Sequence, residues 1–247
     1  MVRDDAGVVH PPLKALWRED GPAMGAGAAV AVAVGVASFV VATLTAATPR
    51  GRIAFTLGMM TVWIALAAAP LAAAARTRLG AVGRAGVMAD ASGVILLILV
   101  FAPGAPLDLL AAVKIYVLWA ALAVTAGLFV GRRAHRLAVA AAVSLGILAA
   151  MAHPFWAGGV KAAPGGPVAA TVLEGVDPWN AVLDAAGPAV PERRPLLEHL
   201  APPDRGDHPG WATAALVWWS IAVLTALGGC LWQAGRRFVR GTGPATD

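Results

Sequence analysis

Two apolar runs, Gly86 to Ala102 and Leu107 to Gly131, are joined by Pro103-Gly104-Ala105-Pro106. The second is closed by Arg132, Arg133, His135 and Arg136. Long apolar runs separated by a few turn residues and ended by cations read as two helices that cross a membrane and return. Asp90 lies near the start of the first run and Lys114 within the second. A chain that contains such a hairpin has few folds open to it, because in hydrocarbon every backbone polar group must be satisfied internally.

The composition agrees. Hydrophobic residues make up 59% of the 247 residues and charged residues 13%, too few charges for a water-soluble domain of this size. Small residues dominate the apolar set, which suits helices whose backbones approach closely in lipid. A pI near 10.3 raises the question of nucleic acid. The arginines, however, sit in short clusters between apolar runs, so membrane lipid is the implied partner and nucleic acid is not. The single cysteine, Cys230, excludes an internal disulfide and any CxxC motif.

Taken in order, residues 1–24 form a polar cytoplasmic tail. Leu13, Leu16 and Trp17 fall on one face of a short amphipathic helix expected at the membrane surface. Spans follow at about Gly25 to Ala47, Ile53 to Ala75, Gly86 to Ala102, Leu107 to Gly131 and Leu137 to Ala152, giving a five-helix membrane block over 25–152. Residues 153–210 are an extracytoplasmic segment, 211–235 a sixth span and 236–247 a second cytoplasmic tail. With the N-terminus inside, the inner segments hold twelve Lys and Arg and the outer segments six. The positive-inside rule then predicts an all-α, six-helix protein of the inner (cytoplasmic) membrane, N-in and C-in.

The 153–210 segment has seven acids and four bases. Asp177-Pro178-Trp179 to Gly187 carries helix signals at both ends: an Asp cap, Pro at the first position and Gly as the stop. Pro191 to Leu200 is a second candidate helix. Short helices here are expected on the outer surface or capping the bundle.

Asp90 and Lys114 are the candidate functional residues within spans, since intramembrane charge is costly and often functional. Asp90 is placed about four residues from the inner end of its span and Lys114 about seven from the outer end of the next, which separates them in depth and argues against a direct salt bridge. Two readings stand. In one, Lys114 snorkels outward beside Tyr116 and Asp90 faces the inner headgroups. In the other, they mark a polar pathway or a subunit contact. His153, His199 and His208 lack metal-ligand spacing, so no metal is expected. No nucleotide-binding GxxxxGK[ST], no Ser/His/Asp set and no intramembrane histidine pair is present, so no cofactor and no enzymatic activity are expected.

Leu13-Lys14-Ala15-Leu16-Trp17-Arg18-Glu19 before the first span, Asp177-Pro178-Trp179-Asn180-Ala181-Val182-Leu183 before the last, and the closing Arg236-Arg237 together resemble the membrane (permease) subunit of type-2 ABC transporters. The resemblance covers the chain as topology and these short motifs as sequence. Where that family often has an acidic, Gly-Thr-containing coupling segment, this chain has Arg76-Thr77-Arg78-Leu79-Gly80-Ala81-Val82-Gly83-Arg84. The resemblance implies a permease-like subunit that works as a homodimer with a separate cytoplasmic ATPase. Arg76, Arg78 and Arg84 would then meet the ATPase, flanked by Leu13, Trp17 and Glu19. The alternative is a non-transporting membrane anchor or assembly subunit of a larger complex.

Overall fold

The computed structural model describes residues 2–3, 9–10, 12–46, 48–75, 77–101, 107–130, 135–152, 177–187 and 210–241. They form seven helices: α1 (Pro12–Thr45), α2 (Pro49–Ala73), α3 (Arg78–Phe101), α4 (Leu109–Val130), α5 (Arg136–Met151), α6 (Pro178–Ala186) and α7 (Trp211–Gly241). The only strands among these residues are β1 (Val2–Arg3) and β2 (Val9–His10), a two-residue antiparallel ladder too short to form a layer. The Pro191–Leu200 candidate helix and the three histidines at 153, 199 and 208 lie outside the described residues.

Five stretches are long and apolar enough to cross a membrane: Met24–Thr45, Pro49–Ala73, Arg78–Phe101, Leu109–Val130 and Trp211–Trp232. The expected fifth span differs. Arg136–Met151 has 16 residues, or about 24 Å at 1.5 Å per residue, against a hydrocarbon core of about 30 Å. Two further boundaries move. The stretch expected as a separate surface helix is continuous with the first span in α1, with Pro22 inside the helix. The third helix begins at Arg78 rather than Gly86, because Thr77 caps it: the Thr77 Oγ1 accepts from the Gly80 N–H at 2.9 Å.

The other starts follow the same chemistry. Thr48 accepts from the Gly51 N–H at 3.1 Å ahead of α2, and Asp108 accepts from the Ala111 N–H at 2.6 Å ahead of α4. Arginines treat two helix ends. The Arg52 Nε donates to the Ala46 carbonyl past the end of α1 at 3.3 Å, and the Arg136 guanidinium donates to the Ala75 carbonyl past the end of α2. Cations at helix C-termini satisfy carbonyls that have no partner within the helix.

α4 is the centre of the bundle, packed against α2, α3, α5, α6 and α7. Trp119, Leu118 and Leu122 on α4 are fully buried, together with Leu57, Met60 and Ile64 of α2 and Met88 and Leu96 of α3. α1 and α7 are peripheral: 28% and 22% of their apolar windows are buried, against 50–56% for the three middle spans. Their outward Val and Leu side chains are what a lipid-facing surface needs. Small residues set the helix spacing, with Ala65, Ala68, Ala69 and Ala72 on α2 and Ala81, Ala85 and Ala89 on α3 all buried.

Candidate functional site

Asp90 is the one acidic residue in the five described spans. Because α3 starts at Arg78, Asp90 lies about 18 Å from that end and about 16 Å from Phe101, at mid-helix rather than near the inner headgroups. Its Oδ1 accepts a hydrogen bond of 2.6 Å from the Tyr116 hydroxyl of α4. Gly93 brings the tyrosine in: a β-carbon there would stand 3.1 Å from the Tyr116 ring, so the ring lies directly on the α3 backbone. The pair is exposed on the outside of the single bundle, Tyr116 to 37%.

Lys114 does not join it. Its depth differs from that of Asp90 by about 9 Å along the antiparallel hairpin. The Lys114 Nζ lies over the Trp211 ring, 5.3 Å from the centroid, a cation–π arrangement that holds α4 to the start of α7. Asp184 of α6 completes this corner by accepting from the Trp211 N–H at 2.7 Å, which caps α7.

α6 closes the same end of the bundle. Asp177 accepts from the N–H groups of Trp179 (2.9 Å) and Asn180 (3.4 Å) and from the Asn180 side-chain amide (2.6 Å). Gly187, at φ 54°, ends the helix in the left-handed region that the sequence signal anticipates. α6 is inserted among its neighbours rather than lying on a surface. Pro178, Ala181, Val182, Leu183, Ala185 and Ala186 are buried, and the Trp179 indole occupies the space where Gly58 of α2 lacks a side chain. Asp177→Ala is expected to lower stability by about 1–2 kcal/mol and to red-shift the tryptophan emission as Trp179 leaves its slot. Asp177→Asn is expected to keep most of both. Thermal unfolding in detergent with fluorescence detection checks this, and equal loss in the two variants would show that the cap is not what holds α6.

Polar contacts cross the interior, among them the Ser144 hydroxyl donating to the Leu66 carbonyl at 3.4 Å, between α5 and α2. The Trp119 Nε1 donates to the Thr61 Oγ1 at 3.0 Å, between α4 and α2. The Thr125 hydroxyl donates to the Trp218 carbonyl at 3.2 Å, between α4 and α7. Among the described residues no three His, Cys, Asp or Glu side chains converge as a metal site would require.

Of the expected docking residues, three belong to α1 and two to α3. Arg78 is exposed at the first position of α3, while Arg84, expected in a loop, lies within the helix at 9% exposure and offers a partner little surface. Leu13, Trp17 and Glu19 belong to the first turns of α1, and Arg76 lies outside the described residues. Sequence reasoning placed Tyr116 beside Lys114 and so missed its bond to Asp90. The available signal was depth: in a tight hairpin, a tyrosine about seven residues below one end can reach a carboxylate about eleven below the other. No family model, no curated protein and no solved structure matches this chain.

Proposed function

We propose that this chain is a permease-like subunit of a transporter in the inner (cytoplasmic) membrane, acting with a separate cytoplasmic ATPase and carrying out no reaction of its own. In this reading it is a homodimer, and six helices cross the membrane with both termini in the cytoplasm. α5 is the fifth crossing, accommodated by local bilayer thinning or by flanking residues that snorkel. The observation that carries the reading is α6, a short capped helix wedged into one end of a multi-span bundle and seated by an absent β-carbon at Gly58. A small element lodged between α2, α4, α5 and α7 is suited to move, and its withdrawal would leave a gap between these helices at that end of the bundle.

A second reading has its own support. The centre of the single bundle is filled by Trp119, Leu57, Met60 and Leu122, each fully buried, as an anchor or assembly subunit would allow. Purification in mild detergent with mass spectrometry of what accompanies the chain separates the two. A stoichiometric soluble ATPase, whose coupling is lost in Arg78→Ala or Glu19→Ala without loss of folding, is the expected result. Recovery with membrane or extracytoplasmic proteins only, lost on deletion of residues 160–205, would establish the anchor instead.

A further inference from the structure

The Asp90–Tyr116 pair presents a carboxylate on the outer face of an apolar helix long enough to span a membrane, at the middle of its length. Ionisable groups within spans almost always face a bundle interior or a cavity, or pair with an opposite charge. This one is exposed on the outside of its own bundle. Among the described residues Tyr116 is its only hydrogen-bond partner, on Oδ1, so Oδ2 is open. The flanking surface is apolar, formed by Val94, Leu97 and Val113, all about half exposed.

Among the described residues, a second copy of this chain does not supply the missing charge. Lys114 stands about 9 Å nearer one end of the bundle and is held over Trp211. Arg84 is about 9 Å nearer the other end and buried. Arg50, Arg52 and Arg78 sit at helix starts. A small cationic ligand is also a poor fit, because such sites are concave and enclose most of the ligand, whereas this pair stands on an exposed helix face. Charge complementarity and the exposed apolar surround favour a helix.

We propose that the α3/α4 face docks a transmembrane helix of a different protein, one that carries a Lys or Arg at mid-depth. The cation pairs with the open Oδ2 of Asp90, the Tyr116 hydroxyl fixes the carboxylate through Oδ1, and Val94, Leu97 and Val113 pack against the rest of the helix. This holds whether or not the chain transports a substrate.

The test uses the full chain in a Cys230→Ser, Val94→Cys background, reconstituted in phosphatidylcholine vesicles. The probes are synthetic Leu/Ala transmembrane helices with a central Lys or a central Leu and one cysteine placed to meet position 94. Disulfide trapping is expected to favour the Lys helix by about fivefold or more, in line with polar contacts between helices in lipid. Asp90→Asn, which preserves the bond to Tyr116, is expected to abolish the preference. Tyr116→Phe is expected to reduce it, with unchanged circular dichroism in both variants. Equal trapping of the Lys and Leu helices would overturn the proposal. So would trapping of the chain to itself in the absence of peptide, which would assign the face to a second copy. Displacement of the Lys helix by tetraphenylphosphonium at low micromolar concentration would assign the face to small lipophilic cations, and would equally overturn it.

Discussion

Trp119→Ala is expected to be among the most destabilising single changes in this chain, by about 2–4 kcal/mol. Trp119 is fully buried on the central helix α4, so its removal leaves a cavity between α4 and the helices around it. In water such a change loses both the transfer of apolar surface and the packing around the cavity. In lipid the transfer part shrinks, since hydrocarbon is as apolar as the protein interior, but the lost dispersion contacts remain. The indole also leaves a hydrogen bond behind. The Thr61 hydroxyl already donates to the Leu57 carbonyl at 2.8 Å, so its oxygen accepts from Trp119 without competition. Trp119→Phe keeps most of the volume and removes that bond, and is expected to cost about 0.5–1 kcal/mol. Unfolding of the purified protein by sodium dodecyl sulfate titration, followed by circular dichroism, measures both. If the two variants unfolded together, the packing account of the centre would be wrong.

The membrane character of the fold was legible because the residues that cross lipid are charge-poor runs bounded by arginines, and the bilayer permits little else for such runs. Helix α6 was legible at its ends, since Asp177, Pro178 and Gly187 act locally through the backbone. Its insertion was not, because that depends on Gly58, far away in sequence, having no side chain. The start of α3 was misplaced for a related reason. Gly80, Gly83 and Arg84 have the composition of a loop, but small residues are welcome in membrane helices, and the Thr77 cap extends the helix back to Arg78. That shift of about two turns places Asp90 at the middle of α3 rather than near its end. It changed the candidate site from two isolated charges to a carboxylate held by a tyrosine. Lys114 lies over the face of Trp211, a partner that no local pattern reveals.

The close approach of α3 to α4 rests on Gly127, and Gly127→Val is expected to destabilise the chain by about 3 kcal/mol or more, beyond ordinary overpacking. A β-carbon at this position would stand 2.7 Å from the Val82 Cα and 3.0 Å from the Ala81 carbonyl oxygen. Both atoms belong to the backbone, so no side-chain rotation relieves the clash and the helices must separate. Gly146 on α5 and Gly228 on α7 are the controls, since a β-carbon at either would meet nothing within 4 Å. Valine there is expected to cost no more than a few tenths of a kcal/mol, valine being only slightly unfavourable in a helix. Separation at Gly127 must also reach Asp90, because one helix pair carries both the close contact and the Tyr116 bond. A cysteine pair at Val94 and Val113, in the Cys230→Ser background, follows that spacing through the rate of disulfide formation. The rate is expected to fall in Gly127→Val and to be unchanged in Gly146→Val. A Gly127→Val protein with the melting temperature and cross-linking rate of the control would mean that the α3/α4 contact does not set the position of Asp90.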